Sequence, residues 1–256
     1  MKKSFIKLPK PIVTCIVAEK TIGKDIGLMK NGEYDGAVAF AVHMEPLGRI
    51  NSDDMKRLIE AVNRPVMLLR YRGNWDSGVQ MNEEERIDML RTAALSGAAA
   101  IDLTADTFDP TPGEFSTKTD AVARQQKVID EFHKIGTEVI MSSHIQEYRS
   151  CVQVIEQMKQ IEKRGVDFAK IVTVANTQEE FLEAVNTTMT LHREMKIPFI
   201  HLVSGKYGRI HRFLSPMLGN CMTFCVQRYS EDFYGSPQPP LANMLTVLKN
   251  INWIID

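Results

Sequence analysis

No apolar run in this chain approaches the ~20 residues that a membrane-spanning helix requires, so no segment is a candidate span. An excess of charge is missing too. The 31 Lys and Arg stand against 32 Asp and Glu, a net charge of -1. That balance gives no electrostatic footprint for nucleic acid or for an anionic membrane. Cysteine is scarce: Cys15, Cys151, Cys221 and Cys225 are scattered. Cys221 and Cys225 have no second ligand pair, so no zinc site is expected. The four read as reduced, buried thiols of a cytoplasmic protein. The basic opening Met1–Lys10 is not followed by an apolar segment of signal-peptide length. There is no low-complexity segment and no evident interdomain linker. No G-x-G-x-x-G turn follows the first apolar run, which removes support for a doubly wound dinucleotide-binding sheet.

What is present is ordinary globular composition, 44% hydrophobic and 25% charged. Short apolar runs recur at Ile12–Val17, Gly36–Val42, Val66–Tyr71, Ala99–Leu103, Glu138–Ser142, Phe168–Val174, Phe199–Val203 and Met222–Val226. Continuous apolarity suits parallel strands covered on both faces. Amphipathic stretches separate them at Ser52–Val62, Asn82–Ser96, Asp120–Ile135, Glu147–Arg164, Thr177–Met195 and Leu241–Ile251. Asn82 and Thr177, each with Glu three residues on, carry capping-box start signals. Strands alternating with helices over 256 residues predict one (β/α)8 TIM barrel, α/β in class, spanning residues 1–256. In such barrels the chemistry sits just past the C-terminal end of each strand.

The sixth apolar run holds Lys170 within Phe168-Ala169-Lys170-Ile171-Val172. Lysine is almost never buried unless it is paired or working. A dry pocket disfavours its charged form, and the neutral amine is a nucleophile suited to Schiff-base chemistry. The bland alternative is a strand-end Lys whose ammonium reaches water. The fifth run ends Met141-Ser142-Ser143-His144, which puts a general acid/base candidate on the neighbouring strand. The alternative there is a histidine bound to loop backbone. An amine that forms an iminium acidifies the adjacent C–H, and a nearby His can take that proton. The seventh run enters Ser204-Gly205-Lys206-Tyr207-Gly208-Arg209-Ile210-His211-Arg212, a basic loop feeding a short helix. It suits an anion, unless it is only a solvated basic turn. The third run ends Arg70-Tyr71-Arg72, and its alternate arginines share one side of the strand. One or both are candidates for the barrel mouth. Gly73–Gly78 follows as a loop, and Tyr234–Pro240 is a Gly/Pro-rich loop suited to closing over a site.

These motifs together resemble type I 3-dehydroquinate dehydratase, in order and spacing, over nearly the whole chain. That resemblance implies a homodimeric (β/α)8 barrel of the shikimate pathway and aromatic amino acid biosynthesis. It implies a cofactor-free and metal-free lyase. Water would leave 3-dehydroquinate, a carboxylated ketone, through a Lys Schiff base to give 3-dehydroshikimate. On the resemblance Lys170 is the Schiff-base residue and His144 the proton-transfer residue. Arg212 matches the carboxylate-binding Arg, Arg72 a substrate-binding Arg, and Gln238 with Ser236 the closing loop.

Two departures stand out. The family's second-strand Glu-x-Arg is absent from Gly36–His43, which carries no acidic residue and no Lys or Arg. The family's fourth-strand Glu, which orients the catalytic His, is replaced by Thr104 in Ile101-Asp102-Leu103-Thr104. A hydroxyl cannot hold an imidazolium electrostatically. Thr104 itself, Asp106 and His43 are the candidates to orient His144, and Arg70 is a further candidate for the site. The expected activity is therefore 3-dehydroquinate dehydration. The alternatives are a lyase of the same fold acting on another β-hydroxyketone, and a non-catalytic metabolite-binding barrel. The retained Lys170 and His144 argue against the last, because binding alone requires neither.

Overall fold

Eight parallel strands alternate with eight α-helices in the computed structural model, which describes residues 3–72, 79–229 and 235–255. The strands are β1 (Ile12–Val17), β2 (Ala39–His43), β3 (Val66–Leu69), β4 (Ala100–Thr104), β5 (Glu138–His144), β6 (Phe168–Val174), β7 (Phe199–Ser204) and β8 (Met222–Val226). The helices are α1 (Ile22–Tyr34), α2 (Ser52–Glu60), α3 (Glu83–Leu95), α4 (Thr119–Ile135), α5 (Cys151–Glu162), α6 (Gln178–Glu194), α7 (Gly208–Leu214) and α8 (Leu241–Ile251). Ladders join consecutive strands from β1 to β7, and β8 pairs with β1. The seam between β7 and β8 is tied by Cys221 N–H donating to Phe199 O at 3.0 Å. His201 N–H adds a bond to Asn220 Oδ1 at 2.9 Å. The molecule is a (β/α)8 barrel in one body. Among the described residues no helix is long and apolar enough to cross a membrane.

Strand alternation sorts the core into two layers. On β3, Met67 and Leu69 belong to the cluster inside the barrel. Val66 and Leu68 belong to the cluster between barrel and helices. The same alternation puts Ala39 and Ala41 of β2, Phe168 and Val172 of β6, and Met222 and Phe224 of β8 inside. Phe5 also joins the inner cluster and is fully buried. Its N–H bonds Glu138 at 2.9 Å, at the first residue of β5, so the N-terminal segment floors the barrel.

The helix starts follow the capping chemistry. Asn82–Glu85 and Thr177–Glu180 form complete capping boxes, as does Ser150–Gln153. The first helix, α1, is not evident from periodicity: its Gly23, Gly27 and Gly32 break the apolar stripe. Several boundaries also differ from the apolar runs. β2 starts at Ala39 rather than Gly36, whose φ of +102° belongs to a turn. β3 ends at Leu69, and β5 runs on to His144.

Buried ionisable groups give the fold a pH dependence. His201 of β7 and His211 of α7 share Thr188 Oγ1, at 2.9 and 3.1 Å, and are almost entirely buried. Burial pushes His201 down to about 3 and His211 well below its ordinary 6.5. The unfolded chain gains a proton on each as pH falls through 6.5, and the folded chain does not, so acidification favours unfolding. Asp25 acts the other way. Burial raises it to about 7, so the folded chain takes up its proton first. From pH 7 to 5 His201 costs about 2 kcal/mol, Asp25 returns about 2 kcal/mol, and His211 adds a further cost in the same direction as His201. A net loss of stability is expected. Urea unfolding at the two pH values measures it, and equal or greater stability at pH 5 would contradict it.

Candidate active site

The inward positions at the C-terminal ends of the strands line a cavity of about 390 Å³. Lys170, His144, Arg212, Tyr71, His43 and Gln238 all face it. Register explains why the first two meet. Lys170 pairs with Ser142 across β5–β6, and His144 pairs with Val172. Lys170 and His144 therefore sit two residues apart in level, on neighbouring strands and the same face.

Lys170 is buried, and its ammonium is held on two sides. Nζ donates to Asp102 Oδ2 at 3.0 Å and to the Tyr71 hydroxyl at 2.7 Å. Tyr71 in turn donates to the same Asp102 oxygen at 2.6 Å. Ser142 Oγ donates to the other Asp102 oxygen, also at 2.6 Å. Asp102 is a buried charge on an apolar strand, the same signal that singles out Lys170, and it is a site residue absent from the candidates of the sequence. Tyr71 is a second such residue. Its position follows from strand parity: Tyr71 faces the barrel and Arg70 before it faces the helices, while Arg72, past the end of β3, turns back to the cavity.

Arg70 thus lies outside the cavity. It is buried against backbone, with its guanidinium on Met44 O at 3.0 Å and Val79 O at 3.1 Å. Arg72 reaches the cavity rim, but carboxylates of its own chain engage it. It bonds Asp106 at 2.8 Å, Glu83 at 2.8 Å and Thr104 Oγ1 at 3.2 Å. Thr104 and Asp106 therefore serve Arg72 rather than His144. His43 lines the cavity beside Glu45, with Nδ1 3.4 Å from Glu45 Oε2. Glu45 is fully buried just past β2 and accepts the Tyr71 N–H at 2.6 Å. Neither Thr104 nor Asp106, both bonded to Arg72, orients His144.

Glu114 does. Its Oε2 lies 2.6 Å from His144 Nδ1 and accepts the His144 backbone N–H at 3.1 Å. The histidine has its carboxylate after all, supplied by the loop after β4 instead of by the strand. That loop folds back through an Ala105–Phe115 bridge. Thr111 closes its turn, with Oγ1 accepting the Phe115 N–H at 2.9 Å. Glu114 itself has φ +49°, the left-handed region, where a side-chain-bearing residue costs about 1 kcal/mol or more. Ser143, next to His144, donates to Gly113 O at 2.6 Å and ties loop to strand.

The basic segment after β7 separates into distinct roles. Gly205 has φ +81°, and a Cβ there would lie 2.5 Å from Asn176 Oδ1, so the turn into α7 requires glycine. Lys206 is exposed, and Arg209 bonds Ser236 O at 3.0 Å. His211 is buried against β7. Arg212 alone of the four lines the cavity. Its Nε bonds Val203 O at 3.1 Å, and among the described residues no carboxylate pairs with it. Burial lowers its pKa to about 10, which still leaves a full positive charge near neutrality. Gln238 lines the cavity and bonds Ser236 Oγ through its N–H at 3.1 Å. Ser236 is not a lining residue; it supports Gln238. Gln146 and Ser204 complete the polar lining, and neither stood out in the sequence. Gly73–Gly78 and Tyr234 lie outside the described residues. The opposite wall is apolar, with Ile16, Ala41, Leu69 and Phe224.

Solved structures share this arrangement of strands and helices. The 3-dehydroquinate dehydratase of Geobacillus kaustophilus aligns with TM-score 0.76 at 19% identity, over 95% of this chain and 91% of its own. The type I 3-dehydroquinate dehydratase of Clostridium difficile, solved with covalently modified comenic acid, aligns with TM-score 0.78 at 14% identity, over 95% and 93%. In sequence, the 3-dehydroquinate dehydratase of Aromatoleum aromaticum is 24% identical over 208 residues, 77% of this chain and 74% of its own length. That of Alkaliphilus oremlandii is 31% identical over a shorter stretch, 40% of this chain and 41% of its own length. Residues 31–253 match the family described as Type I 3-dehydroquinase. With the match extending from α1 to beyond α8, the chain belongs to the type I 3-dehydroquinase family.

Proposed function

We propose that this protein is a hydro-lyase that dehydrates 3-dehydroquinate to 3-dehydroshikimate through an imine on Lys170. The observation that carries the reading is one cavity holding a buried amine, a histidine with its own carboxylate, and a cationic Arg212 unpaired among the described residues. The amine attacks the ketone and the carbonyl oxygen leaves as water. The iminium acidifies the adjacent C–H, and His144 takes that proton. The same imidazolium returns it to the β-hydroxyl, which departs as the second water. Hydrolysis of the imine frees the product. Arg212 binds the carboxylate through its planar fork, and Gln238 contacts the ring from the closing loop. Arg72 acts at the rim, with Asp106 and Glu83 holding it in place. A place in the shikimate pathway, a homodimeric assembly and a cytoplasmic location belong to the same reading and rest on the family.

Sodium borohydride added with 3-dehydroquinate tests the chemistry. A reduced adduct is expected on the peptide carrying Lys170. An adduct on Lys206, or none, would sink the assignment. A second reading keeps the chemistry and changes the β-hydroxyketone. It is favoured by the apolar wall, where Ala41 lines the cavity from a second strand that lacks the family's Glu and Arg. A panel of ketones run beside 3-dehydroquinate separates the two.

Arg212→Lys is expected to raise KM for the carboxylate substrate by ~10-fold or more, since a charge-assisted hydrogen bond contributes about 1.5–3 kcal/mol. The methyl ester of the substrate should bind wild type and variant alike. Unchanged KM for the acid would remove Arg212 from the anion site.

A further inference from the structure

Imine formation has a proton requirement at Nζ itself. Lys170 starts as an ammonium with three protons and ends as an iminium with one. The two protons it loses are the two that the ketone oxygen needs to leave as water. A carrier must therefore touch Nζ and lie close to the carbonyl oxygen that Nζ attacks. Tyr71 meets the requirement. Its hydroxyl is 2.7 Å from Nζ and 2.6 Å from Asp102 Oδ2, and Nζ to Oδ2 is 3.0 Å, which closes a three-membered ring of hydrogen bonds. Ser142 holds the far oxygen of Asp102, so Oδ2 is the one presented to the pair. The Tyr71 ring lies edge-on to His144, with centroids 5.0 Å apart, between the nitrogen chemistry and the carbon chemistry. Burial, and then the Asp102 charge, hold the phenol well above its ordinary value, so Tyr71 remains a protonated donor.

We propose that Tyr71 and Asp102 form a relay that carries the two Lys170 protons to the ketone oxygen during imine formation and returns them on hydrolysis. This rests on the imine reading above. In the first step Tyr71 gives its proton to Asp102 as it receives one from Nζ, and the amine becomes neutral. The nitrogen lone pair forms the C–N bond, and the C=O π pair moves to oxygen, which takes a proton from the Tyr71 hydroxyl as Asp102 returns its proton to Tyr71. The second nitrogen proton follows the same route. The C–O bond breaks, water leaves, and the nitrogen lone pair completes C=N. Nothing is oxidised and no outside proton is consumed.

The test follows imine build-up by borohydride quench and whole-protein mass, on a His144→Asn background that blocks the later carbon step. Adding Tyr71→Phe is expected to slow adduct formation roughly 10- to 100-fold, a share of the ~10²–10⁴-fold typical of a positioned proton donor. The adduct should still form on Lys170. On the otherwise wild-type background, Tyr71→Phe should suppress the primary isotope effect of substrate deuterated at the reacting carbon, because imine formation becomes limiting. A merely structural Tyr71 would not move that readout. If Tyr71→Phe does not fold, Asp102→Asn is the second variant, with the same slowing expected. Adduct formation at the parent rate would overturn the relay alone. Absence of any Lys170 adduct in wild type would overturn the imine reading and the relay with it.

Discussion

Lys170→Ala is expected to lower turnover of 3-dehydroquinate by at least ~10⁴-fold, a rise of about 5.5 kcal/mol in the barrier. Borohydride should then trap no adduct. The size of the effect follows from covalent chemistry: without the amine there is no iminium, and the neighbouring C–H keeps its ordinary acidity. The substitution also strips Asp102 of its ionic partner. Breaking a buried pair by removing one member typically costs about 3–5 kcal/mol. Here Tyr71 and Ser142 still donate to Asp102, which places the loss near the lower end of that range. The variant is therefore expected to fold with a lower urea midpoint, and activity and stability should be read in the same preparation. A folded Lys170→Ala protein with residual turnover within ~10²-fold of wild type would show that another amine carries the reaction.

Glu114→Gln should have the next largest effect. The carboxylate holds Nδ1 of His144 and the His144 backbone N–H together, so it sets both ring orientation and tautomer. The amide keeps the shape and removes the charge that stabilises the imidazolium formed when His144 takes a proton. Replacing an orienting carboxylate by its amide can cost as much as ~10⁴-fold in kcat. A loss of ~10²-fold or more is expected here, with KM little changed and the Lys170 adduct still formed, because the imine step lies upstream. Glu114→Gln with wild-type kcat would leave His144 without a functional carboxylate partner. Glu114→Gly is the informative companion. It relieves the left-handed backbone at φ +49°, so its stability should hold or rise while its activity falls.

The sequence alone was enough for the architecture and for placing Lys170 and His144 side by side at one end of it. Apolar runs spaced by amphipathic stretches admit few arrangements, and a parallel barrel buries every strand on both faces. Lys170 and His144 lie at the C-terminal ends of adjacent strands, so their proximity follows once the strands are placed in order. Asp102 carried the same signal as Lys170, a charge inside an apolar run. The tertiary structure decided the rest. Whether Arg70, Tyr71 or Arg72 faces the cavity depends on strand parity, and a shift of one residue reverses it. The pairing of Met67 with Ala100 and of Leu69 with Asp102 turns Tyr71 inward and Arg70 toward the helices, while Arg72, past the strand end, comes back to the cavity rim. Which carboxylate serves His144 depends on the path of a loop. Thr104, Asp106 and His43 are closer to strand ends, yet Glu114 arrives because the segment after β4 doubles back beside β5. Thirty residues separate Glu114 from its histidine. No local periodicity or spacing records a contact that forms only when the loop closes.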